Sequence, residues 1–454
     1  MEFFRSLKRL MQHSLFRKLV AVRIATQASD GILQVGMAAY VLFSPQEQPD
    51  ARSIALVLAI TLLPFSVIGP FVSLTLDRWN RRQVAVVTDV IRMGIALGLG
   101  ALVLNPGLRE HWTMWLFYAG VLIAMSLNRY LMAGLSAALP HTVDEDEYLM
   151  ASSIMPTIGP AGVMIGAAVA AIIRLTMSNF LTTYEADALI FCASAAGFGL
   201  TVMLSLRIPR TALGPMYVTD ESRNTSTREV LRGLINAGRH LGERPPAAIG
   251  LATIGFQRIV FGMMQVSVIL LFRNYFHEVT DVDAAMADIV VWAGAMGAGF
   301  VLSGAFTPPM VRLLGVRRFM VVLLLGSAVL QIVPGAIFSM WPLVVSGFLL
   351  GMGSQSLKIC VDTLVQAHVD GDFKGRVFTI YDMIFNAMFV LAAVLTAVLM
   401  PADGHSLVGF IGFAIAFAAI GIVFAIVSGR LGSTVFNRGT QHALDVAAEP
   451  EPAR

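Results

Sequence analysis

The stretch GPFVSLTLDRWNRR, residues 69–82, sits where one apolar run ends and another begins. The run 53–76 precedes its charged part, Asp77, Arg78, Arg81 and Arg82, and the run 83–104 follows it. A membrane-spanning helix needs about 20 mostly apolar residues, so the stretch reads as a short charged turn between two such helices. Extending this reading in both directions gives spans at 19–43, 53–76, 83–104, 113–139, 151–174, 185–206, 247–272, 287–311, 319–338, 342–365, 376–399 and 406–428. Bilayers admit only helices or closed barrels, and runs this long lack the alternation of barrel strands. The expected fold is an all-α membrane protein with twelve transmembrane helices.

Composition agrees. Hydrophobic residues make up 56% of the 454-residue chain and charged residues 13%, against about 25% charged in soluble domains; mean hydropathy is +0.74. A net charge of +3 gives no footing for a nucleic-acid partner. Cys192 and Cys360 lie inside apolar runs and imply neither a disulfide nor a metal site. Most basic residues fall in loops on one side if the N-terminus is cytoplasmic, leaving Arg52, Arg109, Arg174 and Arg273 outside. Trp112, Trp115, Trp292 and Trp341 then mark the outer interface and Trp79 the inner one. The expectation is a multi-pass protein of a bacterial cytoplasmic membrane, monomeric, with both termini in the cytoplasm. Residues 1–18 are basic with Phe3, Phe4, Leu7, Leu10 and Met11 at helical spacing, suggesting an interfacial segment or a solvated tail.

The opening stretch has an echo. GAFTPPMVRLLGVRR (304–318) follows span eight as residues 69–82 follow span two, and VDGDFKGRVFT (369–379) matches VDEDEYLMASS (143–153). Such correspondences indicate an internal repeat. The chain therefore divides into a six-helix half at 19–206, a cytoplasmic linker at 207–246 and a second half at 247–428, followed by a tail at 429–454 that reads as disordered. The linker begins as polar chain and continues as an amphipathic helix with Val230, Leu231, Leu234 and Ile235 on one side.

On these residues the chain resembles the major facilitator superfamily. Ser73 to Arg82 is similar to its G-x-x-x-D-R-x-G-R-R signature, with Ser73 and Asn80 in place of the glycines; Asn80 can still adopt a left-handed turn at modest cost. Asp30-Gly31, Asp89 with Arg92, Leu139-Pro140, LRGLINAGRHLGERP (231–245) and Gly375-Arg376-Val377-Phe378 resemble the drug- and siderophore-exporter branch, which includes enterobactin exporters. Gly159-Pro160, Gly162 and Gly166 match part of an antiporter signature, with altered spacing. The resemblance implies a cytoplasmic gate in which Asp77 faces a helix N-terminus and Arg78, Arg81 and Arg82 bind carboxylates or anionic lipid, with Asp89, Arg92, Arg376 and Asp382 in the same network.

A charge at the bilayer centre costs about 2.5–3.5 kcal/mol even on a lenient scale, so intramembrane charges mark a cavity or a partner. Asp30, Arg129 and Arg258 lie roughly 15–17 Å from the inner ends of spans one, four and seven, and Lys358 roughly 10 Å into span ten, one turn from Asp362. The resemblance implies that these four spans line the central cavity. The substrate and proton cavity is accordingly assigned to Asp30, Gln34, Arg129, Gln257, Arg258, Gln355, Lys358 and Asp362, with Asp30 pairing with Arg129 and taking the proton. Lys358 and Asp362 also suit a static i, i+4 pair. Arg23 is expected to snorkel.

HTVDEDE (141–147) reads as a solvated acidic face rather than a metal site, and no phosphate loop, nucleophile elbow or zinc motif is present. No cofactor and no enzymatic activity are expected. The expected function is secondary active transport: export of small amphiphilic or anionic molecules by alternating access, coupled to protons or another ion. An importer or lipid translocator of the same fold, or a non-transporting receptor or scaffold, is the alternative.

Overall fold

The structure is a computed structural model that describes residues 9–42, 56, 59–60, 79–105, 111–144, 147–177, 180–214, 227–278, 281–432 and 435–436. Within them the apolar runs are helical: α1 Ser14–Leu42, α2 Arg81–Leu104, α3 His111–Ala138, α4 Tyr148–Met177, α5 Thr183–Leu206, α6 Thr227–Gly242, α7 Pro245–Leu270, α8 Val282–Leu314, α9 Val316–Ala336, α10 Met340–His368, α11 Gly371–Leu399 and α12 Leu407–Leu431. The described residues contain no strand. α6 is the expected amphipathic linker helix, and the other eleven correspond to predicted spans; among the described residues nine helical regions are long and apolar enough to cross a membrane. Span two lies outside the described residues apart from Leu56, Ala59 and Ile60, as do residues 1–8, Asp77, Arg78 and residues 437–454.

The turn that opens α2 corrects one expectation. Asn80 is not left-handed: it has φ −62° and ψ 121° and caps the helix, its side-chain oxygen accepting from the N–H groups of Arg82 at 3.0 Å and Gln83 at 3.4 Å. Asparagine is among the best N-caps, which explains how it replaces a glycine here. Its amide also donates to the Arg210 carbonyl. At the echo position before α9, Gly315 does adopt a positive φ of 75°.

The chain forms two compact units, Met1–Glu47 with Ala59–Val230 and Gln48–Leu58 with Leu231–Arg454, the main boundary falling inside α6. In the first, α1 packs on α4 and α5, and α2 on α5. In the second, α7 packs on α11, and α9 on α12. Counted as spans, the first meets the fifth and the third meets the sixth in both units, as a structural repeat requires. Membrane helices gain from close backbone approach at small residues. A methyl group at Gly166 would overlap the Ala28 carbonyl, and one at Gly31 the Val163 carbonyl, which fixes how near α1 and α4 can lie. Gly299, Gly347 and Gly351 play this part between α8 and α10.

Side chains facing away from these contacts are apolar and exposed, such as Ile172, Val301, Val398, Val408 and Ile415. In a helix bundle whose solvent is lipid this is the expected outer surface. Trp115 and Trp341 are exposed, but Trp292, expected at the interface, is buried against Phe272 and Gly347. The segment before α1 is not merely interfacial either. Leu10 and Phe16 are buried with Leu135, Leu139, Ile208 and Leu213, so residues 207–214 of the linker also fold onto the first unit.

Candidate functional site

In the first unit, Thr26 and Asp30 stand one turn apart on α1, opposite Asp89 and Arg92 on α2. Asp30, Asp89 and Arg92 are each completely buried. Arg92 pairs with Asp30 and with Asp89, the latter at 2.9 Å. Thr26 accepts from Arg92 at 3.0 Å and donates to Asp89 at 3.2 Å. The Phe198 ring of α5 lies 4.1 Å from the guanidinium carbon, a cation–π contact that closes the cluster. Two carboxylates thus share one guanidinium, and Asp89 Oδ2 is buried with no hydrogen-bond donor among the described residues.

This geometry regroups the expected residues. Asp30 takes Arg92 as its ion-pair partner, where the sequence reading paired it with Arg129. Asp89 and Arg92, assigned to the gate, belong to the Asp30 cluster. Arg129 is half-buried on α3, and Gln34 is half-buried one turn beyond Asp30. Arg23 does not simply snorkel: it is half-buried and donates to Ser136 at 3.3 Å.

The second unit presents a different arrangement. Arg258 on α7 lies 3.8 Å from the Phe385 ring centroid, 5.1 Å from that of Phe389 and 5.4 Å from that of Phe261. Its hydrogen bond to Ser354 is long at 3.5 Å, and the adjacent Gln257 donates to the same hydroxyl at 3.2 Å. No carboxylate lies within ion-pair distance of Arg258 among the described residues. One turn along α10, Lys358 and Asp362 pair at 2.8 Å, and Lys358 Nζ is 5.2 Å from the centroid of the buried Tyr381 ring. The i, i+4 pair anticipated for Lys358 and Asp362 is therefore present. Gln355 is half-buried beside Ser354, and Asp382 follows Tyr381 on α11.

Of the remaining gate residues, Asp77 and Arg78 lie outside the described residues. Arg82 donates to the carbonyls of Ser205 at 3.3 Å and Leu206 at 3.1 Å, and Arg81 to that of Leu213 at 3.0 Å. The bonds seen go to carbonyls where carboxylates or lipid were expected; those of Ser205 and Leu206 lie at the C-terminal end of α5, the negative end of its dipole. Arg376 is exposed and lies against Gly233 of α6.

Sequence reasoning passed over several partners. Arg174, placed in an outer loop, is buried at the end of α4 and pairs with the buried Asp187 of α5 at 2.7 Å. Asp187 lies inside an apolar run, so the rule that found Asp30 could have found it too. Glu147 is buried, unlike the solvated acid expected, and binds Arg9 and His13 at 2.6 Å each. Ser354 and Phe385 gave no signal, because serine and phenylalanine are ordinary in spans.

No family model matches the chain. A Mycobacterium tuberculosis protein named as an MFS-type transporter is 30% identical over 423 residues, covering 93% of each chain. The Bacillus subtilis MFS-type transporter YfiS is 22% identical over 434 residues, covering 92% of this chain and 94% of its own. Among solved structures, the nucleoside transporter NupG is similar with a TM-score of 0.67 at 13% identity, covering 91% of this chain and 99% of its own. The POT family transporter PepTSo is similar with a TM-score of 0.63 at 12% identity, covering 92% and 98%. These solved structures share the helical fold described above, and the mycobacterial relative matches nearly end to end: the chain belongs to the MFS-type transporters, the major facilitator superfamily.

Proposed function

We propose that the protein is a proton-coupled exporter of small anionic or amphiphilic molecules, working by alternating access between two six-helix halves. The observation that carries the coupling is the buried cluster in which Asp30 and Asp89 share Arg92. Two carboxylates against one guanidinium leave one negative charge uncompensated, and an unpaired charge in a low-dielectric interior is costly. A bound proton removes it, so the pair titrates as a unit that holds one proton and can release it. In the Arg174–Asp187 and Lys358–Asp362 pairs, by contrast, each carboxylate has its own cation at ion-pair distance.

Arg258 supports the substrate class. A guanidinium packed among Phe385, Phe389 and Phe261, with Ser354 and Gln257 beside it, suits an anionic group attached to an apolar or aromatic body. Gln34, Arg129, Gln355, Lys358 and Asp362 complete the proposed polar lining within their own units. Arg81, Arg82, Arg376 and Asp382, with Asp77 and Arg78, remain the proposed cytoplasmic gate. Export is supported by the partial antiporter signature at Gly159, Pro160, Gly162 and Gly166.

The test is substrate-driven proton movement in proteoliposomes of known orientation, screened with a panel of amphiphilic anions. Wild type is expected to move protons opposite to substrate; Asp30→Asn is expected to bind substrate but abolish the coupled proton signal. Coupled proton movement of wild-type size in Asp30→Asn would sink the reading.

A further inference from the structure

A second polar site lies in the first unit, at the end of the bundle where α1 begins. Ser14, Arg17, Lys18 and Ala21 recur on one face of α1, and Leu204 and Arg207 oppose them from the end of α5. Together they line an open pocket of about 280 Å³. None of the six is acidic. The carbonyls that would otherwise repel an anion here are already occupied: Lys18 donates to the Arg207 carbonyl at 3.1 Å, and Arg82 holds those of Ser205 and Leu206. Arg17 and Arg207 are exposed and present two guanidinium forks, beside the Ser14 hydroxyl and the Lys18 ammonium. Guanidinium forks match phosphate oxygens bidentately.

What stands next to the pocket narrows the ligand further. On α5 an apolar stripe, Leu200 and Met203, leads away from Arg207, and these side chains are 51% and 61% exposed. Leu206, 51% exposed, flanks it. A cationic pocket at a helix end, continued by an exposed apolar face, fits a molecule with a phosphate head and a hydrocarbon body. Basic pockets between membrane helices at a headgroup level recognise anionic lipids in this way.

We propose that this pocket is a specific binding site for one anionic phospholipid, whose phosphate sits between Arg17 and Arg207 while an acyl chain follows Leu200 and Met203. The site involves none of the residues assigned to proton or substrate binding, so it stands or falls separately from the transport mechanism.

The experiment is native mass spectrometry of the delipidated full-length protein, titrated with phosphatidylglycerol, with phosphatidylcholine of the same chain length, and with inorganic phosphate. Phosphatidylglycerol is expected to fill one site at least tenfold more tightly than phosphatidylcholine, and inorganic phosphate is expected not to compete at equal concentration. The double variant Arg17→Gln/Arg207→Gln is expected to lose that tenfold preference, Arg17→Lys/Arg207→Lys to keep part of it, and Arg430→Gln in the second unit to leave it unchanged. Equal binding of the two lipids, an unchanged preference in the glutamine variant, or displacement by inorganic phosphate at matched concentration would overturn the proposal.

Discussion

Among the described residues Arg258 is held by aromatic rings rather than by an acid, and under the proposed function that choice of neighbours sets what it would bind. A cation on a ring face keeps its charge available and its plane fixed, which a flexible ammonium does not. Arg258→Lys preserves charge but loses the stacked geometry against Phe385. The contact is worth about 0.5–2 kcal/mol, so the apparent affinity for an anionic substrate is expected to fall roughly tenfold in a direct binding measurement while a neutral ligand is unaffected. Arg92 differs, since both of its acids would be left buried and unpaired. Arg92→Gln is expected to destabilise the protein by about 3–5 kcal/mol, read as a lowered thermal midpoint in detergent. Asn80→Ala removes a helix cap worth about 1 kcal/mol and should lower the midpoint modestly; Asn80→Ser should restore most of the loss.

Helices in this protein are positioned by small residues and by charged clamps at their ends. Gly166 packs so tightly on Ala28 of α1 that a larger side chain must push the two helices apart. Overpacking typically costs about 1–3 kcal/mol, so Gly166→Leu is expected to reduce the folded yield, whereas Gly98→Ala on α2, with open space beside it, should be silent. Both units also carry the same clamp. Arg9 and His13, i and i+4 before α1, hold Glu147 before α4; His240 and Arg244, i and i+4 before α7, hold Asp370 before α11. Their surroundings make them unequal. Glu147 is buried and Asp370 is exposed, so Glu147→Gln is expected to cost about 1–3 kcal/mol and Arg244→Gln much less. Two hydrogen bonds from Arg244 hold Asp370 below its ordinary value. A lowered carboxylate stabilises the fold above its unfolded value and loses that contribution as pH falls through the folded one. The second clamp therefore holds at neutral pH and weakens only in acid.

At the scale of the whole chain, the sequence carried the architecture because lipid imposes a single rule. Apolar runs of about 20 residues must be helices, and eleven of the twelve predicted ones are seen as helices. The repeat was legible in the two echoes, and the matching helix pairings repeat in space. What sequence reading could not supply was rotation about each helix axis. Depth places Asp30 level with Arg129, yet the turn of α1 brings it to Arg92, and Arg174 faces Asp187 of α5 for the same reason, since position along a span does not say which neighbour it faces. Aromatic and hydroxyl partners such as Phe385 and Ser354 were invisible because they are common in any span.

The proposed mechanism rests on the charge imbalance among Asp30, Asp89 and Arg92. Infrared difference spectroscopy of the purified protein, with hydrogen–deuterium exchange, reads that imbalance directly as the carbonyl stretch of a protonated carboxylic acid. The band is predicted in wild type at neutral pH, to vanish in both Asp30→Asn and Asp89→Asn, and to persist in Asp187→Asn. A wild-type spectrum without the band, or one that both variants leave unaltered, would contradict the account.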